Sequence, residues 1–421
     1  MSGSLRVALL TYRGDPFCGG QGVYVRNLSR ELVARGHTVE VFSGPPYPAV
    51  DHGVALTRLP SLDLYRQPDP YRVPKRAEFR DAIDVLEFAT MCVARYPEPL
   101  TFSLRAAREL RRRRGEFDVV HDNQTLGYGV LAIAAHLPVV STIHHPITVD
   151  RRMLLATAPA HHQAPLRRWY SFTTMQARVA RRLGRAMTVS ASSAADIIRD
   201  FGMPETALDI VAVGVNPDVF RPLPEVSRVF GRIVTTVSAD IPMKGLAVLL
   251  EAVAKLRAEH DVELVVVGKR QADGETDRSV TRLGLNDAVR FVSAISDEEL
   301  VRLLNSATLA VVSSLYEGFS LPAIEAMACA TPLVATRGGA LPEVAGTDGT
   351  TAALVMPGDP GALAAAIGEL LSDPDRRRRM GDAGRQRVLE RFTWQETARK
   401  TVEVYRTAVT GYRAPSFTSL A

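Results

Sequence analysis

Residues 5–42, LRVALLTYRGDPFCGGQGVYVRNLSRELVARGHTVEVF, decide the fold. The apolar run LRVALLT reads as a short buried strand. The glycine-rich turn Gly19-Gly20-Gln21-Gly22 opens a helical pattern that puts Val25, Leu28, Leu32 and Val33 on one face and stops at Gly36, and TVEVF (38–42) is a second strand. Strand, glycine turn, helix and strand make a βαβ unit, which needs a parallel sheet. The same alternation returns at DVVH (118–121), VVSTI (139–143), AMTVS (186–190) and DIVAV (209–213), so the first half is a parallel sheet wrapped by helices.

Residues 44–75 interrupt this rhythm with proline and tyrosine and are expected to form an irregular rim beside a substrate cleft. NPDVFRPLPEVSR (216–228) has three prolines and no helical period, and marks the linker. Alternation then restarts with IVTTV (233–237), ELVVVG (263–268), VRFV (289–292), LAVVS (309–313) and PLVAT (332–336). The fold class is α/β with two Rossmann-like doubly wound domains, residues 1–218 and 219–393, expected to face each other across a cleft.

Composition narrows the function classes. A chain of 421 residues that is 46% hydrophobic can bury two cores. Its 51 basic and 46 acidic residues give a formal charge of +5, a mixed surface that points away from nucleic acid. Cys18, Cys92 and Cys329 are odd in number and widely spaced, which suits neither a disulfide framework nor a paired zinc site, so a reducing cytoplasm is the expected setting. The N-terminus is expected to carry no signal peptide, and no segment is long and apolar enough to span a bilayer. Arg111–Arg114 and the arginines at 167, 168, 178, 181, 182 and 185 have Trp169, Phe172 and Val179 as neighbours. They are read either as a solvated face or as a peripheral contact with an anionic membrane at its inner face.

The most informative chemistry is Glu317-Gly318-Phe319-Ser320-Leu321-Pro322-Ala323-Ile324-Glu325, two carboxylates separated by seven residues across a strand end and a helix start. Pro322 suits a first helical turn, and the N–H groups of Phe319, Ser320 and Leu321 are then free to face an anion at the carboxyl end of the sheet. Carboxylates accept hydrogen bonds from hydroxyls, so Glu317 suits a sugar and Glu325 a ribose diol. Lys244, one of only five lysines, follows a strand and precedes a helix, where an ammonium delivers charge to a leaving diphosphate.

The segment EGFSLPAIEAMACATPLVATRGGALPEVAG resembles the E-x7-E region of the group-1 glycosyltransferases, the family 4 retaining enzymes of the GT-B fold. The likeness extends to CGGQGVYVRNLSRELVARGHTVEVFS, VSTIH, VAVGVNPDVF and RFTWQETARKTVEVYR. The resemblance implies a nucleotide-sugar donor, GDP-mannose or UDP-glucose, and a hydroxyl acceptor on a glycan, glycolipid or small molecule. It places Glu317 on the donor hexose, Glu325 on the ribose, Lys244 on the diphosphate, the Gly19-Gly20 loop on the diphosphate and His144 on the sugar near the reacting centre. Donor binding extends to Gly318, Phe319, Ser320 and Leu321. A last helix (394–421) is implied to pack back on the first domain. No metal and no cofactor are expected.

The chain departs from the family pattern where an arginine is usual before Lys244: Ser238 and Ala239 stand there, with Arg270 or Lys269 as substitutes. His145 is either structural or functional, and Asp373-Pro374-Asp375 is read as a loop rather than a metal motif. A sugar-nucleotide epimerase of the same fold and a non-catalytic carbohydrate-binding protein remain as alternatives.

Overall fold

The computed structural model describes residues 3–14, 20–66, 68–237, 241–270 and 273–413. The chain forms two compact units, one of Met1–Val189, Ser193–Val211 and Thr397–Ala421, the other of Ser190–Ser192 and Ala212–Glu396. The divide falls at 211/212 instead of 218/219, because the backbone around Val215 is tied into the second unit by pairing with Thr393 and by the Val215 N–H on the Phe392 carbonyl. The return falls at 396/397 instead of 393/394.

The first unit holds seven parallel strands: β1 (Arg6–Thr11), β2 (Thr38–Ser43), β3 (Ala55–Arg58), β4 (Val119–Asn123), β5 (Val139–Ile143), β6 (Ala186–Thr188) and β7 (Leu208–Ile210). Their order is β3-β2-β1-β4-β5-β6-β7. The chain reverses its direction of winding between β1 and β4, where an open α/β sheet leaves a crevice beyond its carboxyl ends. Gly20, Gln21 and Gly22, read as a turn, are instead the first residues of helix Gly20–Ala34, whose Val25, Leu28 and Leu32 are fully buried while Val33 is half-buried. Leu10, Phe42, Val120 and Ile143 share one core with Phe102 and Val179.

One reading changes here. The proline-rich stretch is not wholly irregular: β3 extends the sheet beside β2, with Thr57 donating to Glu40 at 2.5 Å. A four-residue edge strand with little apolar alternation leaves no periodic signal. Among the basic runs, Arg113 pairs with Glu40 and Glu116, each at 2.6 Å, and Arg185 with Asp209 at 2.5 Å. Phe172 and Val179 lie in the core, which leaves Trp169 as the half-exposed apolar neighbour of those arginines.

The second unit has six parallel strands: β8 (Val229–Thr236), β9 (Glu263–Val267), β10 (Val289–Val292), β11 (Ala307–Val312), β12 (Leu333–Thr336) and β13 (Ala353–Val355). The order β10-β9-β8-β11-β12-β13 reverses between β8 and β11. Leu249, Leu264, Leu309, Val334 and Leu363 are fully buried in its core. Helix Trp394–Gly411 begins in this unit and ends in the first, where Tyr405 is fully buried and Tyr412 donates to the Ala134 carbonyl at 3.2 Å. Among the described residues no helix is long and apolar enough to cross a membrane.

Candidate active site

Lys244 and Glu317 meet in the second unit. Residues Pro242–Lys244 form one 3₁₀ turn after β8, and Gly245 turns the chain into helix Leu246–Leu256 in the left-handed region at φ +67°. A Cβ on Gly245 would stand 2.0 Å from the Ser313 carbonyl oxygen, so this turn and the end of β11 touch backbone to backbone. Leu315 N–H donates to the Met243 carbonyl at 2.8 Å and Ser313 Oγ to the Lys244 carbonyl at 3.2 Å. This seam delivers Lys244 Nζ to Glu317 Oε1 at 2.8 Å, and Ser314 Oγ donates to the same oxygen at 2.7 Å. The sequence assigned the two side chains to different parts of a donor. The structure pairs them.

A second glycine turn backs the carboxylate. Ala340 N–H donates to the Glu317 carbonyl at 2.8 Å, and Gly339 adopts φ +60° with a notional Cβ 2.3 Å from that same oxygen. A notional Cβ on Gly338 would stand 2.7 Å from the carbonyl oxygens of Ser314 and Leu315. The sequence analysis did not single out Gly338-Gly339, because adjacent glycines allow a tight bend without saying what approaches it. Gly339→Ala is expected to cost about 1–3 kcal/mol through left-handed strain alone, and the forced shift should displace Glu317. Thermal unfolding together with donor affinity checks this; a variant with unchanged Tm and unchanged donor binding would refute it.

Helix Leu321–Ala328 starts beyond this turn. Ser320 caps it at φ 118°, its hydroxyl accepting from Ala323 N–H at 3.4 Å, and Pro322 occupies the first turn. Phe319 is buried with its ring 5.6 Å from Phe392, a packing contact of its side chain. Glu325 lies within this helix, half-buried, where loss of hydration and then the charge of Asp297 push its carboxyl up to about 7. Arg270 is placed on Asp277 and over the Phe291 ring at 4.5 Å, rather than with Lys244. Gly19, Ser238 and Ala239 lie outside the described residues; Gly20 is the first residue of its helix.

His144 belongs to the first unit, directly after β5. Gln124, at φ 55°, brackets its peptide: its Oε1 accepts from His144 N–H and its Nε2 donates to the His145 carbonyl, both at 2.8 Å. His144 Nε2 contacts Asn123 Oδ1 at 2.8 Å, and Tyr24 stands edge-on at 4.7 Å. Burial, then His145, pushes the His144 imidazole down to about 3, so it is neutral near pH 7 and serves as a hydrogen-bonding group. Below it Tyr24 Oη and His121 Nε2 both reach Thr142 Oγ1, at 3.1 and 2.7 Å, and His121 Nδ1 reaches Tyr405 Oη at 2.5 Å. Asn123 Nδ2 is buried without a hydrogen-bond partner among the described residues. Sequence patterning passed over Gln124, Asn123 and Tyr24 because a lone amide or tyrosine at a strand end has no period. His145 pairs with Asp150 at 2.9 Å, a contact that secures its loop.

Asp373 caps helix Pro374–Arg391 by accepting from Arg376 N–H at 2.8 Å, and Asp375 pairs with Arg378 at 2.9 Å. The motif read as a loop is therefore the cap and first turn of this helix. Among the described residues no three His, Cys, Asp or Glu side chains gather as a metal site.

The Glycosyltransferase Family 4 model matches residues 18–219, and the Glycosyl transferases group 1 model matches residues 227–387. The chain is 53% identical to an MMP alpha-(1->4)-mannosyltransferase of Mycolicibacterium hassiacum, over 96% of this chain and 98% of that protein. It is 29% identical to a D-inositol 3-phosphate glycosyltransferase of Streptomyces scabiei, over 97% and 92%. Among solved structures, sucrose-phosphate synthase from Thermosynechococcus elongatus superposes with a TM-score of 0.75 at 24% identity, covering 96% of this chain and 99% of that one. Anabaena HepE, in complex with UDP and glucose, gives 0.70 at 17% identity, covering 96% and 100%. With both halves matched in order and a relative this similar over nearly its whole length, the chain belongs to the group 1, family 4 glycosyltransferases of the GT-B fold and is a hexosyltransferase.

Proposed function

We propose that this enzyme transfers mannose from GDP-mannose to a hydroxyl of an α-mannoside, forming an α-(1→4) link with the donor's anomeric configuration retained. The observation that carries this reading is the 53% identity, along almost the full length of both chains, to an alpha-(1->4)-mannosyltransferase. In this reading Glu317 accepts hydrogen bonds from the hexose hydroxyls and Glu325 from the ribose diol. Lys244 and the amides at the start of helix Leu321–Ala328 meet the diphosphate. The neutral His144 contacts the sugar near the reacting carbon.

The acceptor oxygen bonds to the anomeric carbon on the face from which the diphosphate departs. The carbon–oxygen bond to the diphosphate breaks, and the acceptor proton passes to a diphosphate oxygen. Charge developing on the leaving group is met by the Lys244 ammonium, the form of stabilisation that acts in the transition state. The reaction needs no metal in this account.

The test is nucleotide release from GDP-mannose and UDP-glucose, with and without an α-mannoside, in buffer with EDTA. Acceptor-dependent release of GDP and an α-(1→4)-linked product are expected. Preference for UDP-glucose overturns the donor assignment, and loss of activity in EDTA restored by magnesium or manganese overturns the metal-free account.

Glu325 adds a pH dependence. Ribose hydroxyls donate to the ionised carboxylate, so binding favours ionisation, whereas the free site holds this carboxyl up at about 7. Affinity for GDP is therefore expected to rise with pH up to about 7 and to fall below it by at most about 10-fold per pH unit. Calorimetric titration from pH 5.5 to 8.5 checks it. Glu325→Gln should remove this part of the profile; an identical profile in the variant would assign the dependence to the nucleotide phosphates.

A further inference from the structure

Four aromatic side chains from three separate segments of the first unit converge, none of them among the donor-site residues described above. Tyr65 and Tyr71 come from the proline-rich stretch, Tyr96 precedes helix Glu98–Arg112, and Trp169 ends helix Ala160–Trp169. Ring centroids lie 5.2 Å apart for Tyr96 and Trp169, 5.6 Å for Tyr65 and Trp169, and 6.1 Å for Tyr71 and Trp169. The group is not sealed in the core: Tyr71 is 60% exposed and the other three are half-buried.

Its polar groups are unevenly satisfied. Tyr96 Oη donates to Glu98 at 2.5 Å, and Arg13 Nε pairs with Glu98 at 3.2 Å. Tyr65 Oη is buried with no hydrogen-bond partner among the described residues. A buried phenol normally finds a partner, and one left without has hydrogen-bonding capacity to offer a ligand hydroxyl. Arg13 follows β1, and β1 is the neighbour of β4, whose last residue is Asn123. The aromatic group thus hangs from the carboxyl end of the sheet that also carries His144, the end at which such sheets bind ligands.

A hexose ring has an apolar C–H face and a rim of hydroxyls, and it matches aromatic rings backed by polar groups. We infer that Tyr65, Tyr71, Tyr96 and Trp169 form an acceptor subsite that seats one hexose ring of the incoming glycan, the C–H face on Trp169 and a hydroxyl on Tyr65 Oη. The inference rests on the transferase reading for its occupant. The chain has two tryptophans, and the other, Trp394, is 2% exposed, so Trp169 reports on the subsite without a transfer reaction.

The experiment uses the full chain with an α-(1→4)-linked mannooligosaccharide. Titration should change tryptophan emission in the wild type and leave it unchanged in Trp169→Phe. Trp169→Ala should raise the acceptor KM about 10-fold, with GDP affinity within about twofold of wild type. Tyr65→Phe should raise the acceptor KM several-fold, about 3- to 10-fold, without lowering Tm, because it deletes only an unpaired buried hydroxyl. A structural role would lower Tm and leave KM alone. An unchanged KM in folded Trp169→Ala and Tyr65→Phe overturns the subsite, as does loss of binding to anionic vesicles with KM unchanged, which would assign these rings to a membrane surface. If no nucleotide sugar is turned over, the transferase reading fails, and the emission titration still decides the subsite.

Discussion

Lys244→Ala is expected to lower turnover at saturating donor and acceptor by about 10²–10³, the range for removing a charge-stabilising contact to a developing oxyanion. Pairing with Glu317 makes this loss compound. Without the ammonium, Glu317 keeps Ser314 as a donor but loses the charge that positions it. Lys244→Ala and Glu317→Ala should therefore be much less than additive in the double variant, because each single change already disturbs the other. Lys244→Arg should recover only part of the activity, since a planar fork places charge differently from a compact ammonium. Arg270, committed to Asp277 and Phe291, should matter far less. Nucleotide release for these four variants and for Arg270→Ala, with folding checked by thermal unfolding, is the measurement. Near wild-type turnover in Lys244→Ala would remove the diphosphate role.

The two glutamates should separate. Glu317→Ala is expected to reduce kcat by about 10²-fold with a small change in donor affinity, because contacts to the reacting sugar strengthen as charge develops. Glu325→Ala should raise the donor KM by about 10-fold and leave kcat nearly unchanged, since ribose contacts act equally in ground and transition states. Loss of a hydrogen bond to a charged group, about 1.5–3 kcal/mol, corresponds to that order. Kinetics at saturating donor distinguish them. Small and equal effects on both constants would overturn the assignment of Glu317 to the sugar and Glu325 to the ribose.

The parallel strands were legible because buried βαβ units write near-continuous apolar runs between amphipathic helices, and LRVALLT, ELVVVG and LAVVS each lie on an observed strand. Two of the four edge strands were not: β3 and β13 are three or four residues long and carry little patterning, whereas the edge strands β7 and β10 fall on DIVAV and VRFV. Within the site, residue types showed which groups carry charge, but not which of them touch. Nothing in the spacing of 244 and 317 says that a glycine at 245 lets two backbones meet and brings the side chains to 2.8 Å. Gln124 is a similar case: its amide extends the β4–β5 pairing beyond the strands, a contact between positions 20 residues apart.

Helix Trp394–Gly411 also sets an order of assembly during synthesis. Residues 212–396 leave the ribosome as one continuous stretch with their sheet complete, whereas the first unit, though made earlier, still awaits residues 397–411. Until Tyr405 arrives, His121 lacks both the partner of its Nδ1 and the ring that packs edge-on against it. The earlier-made half is thus expected to finish last, a reversal of the usual vectorial order. A chain stopped at residue 396 should be cut by protease within 1–211 well before 212–396; equal resistance of the two halves would show that the first sheet closes without its final helix.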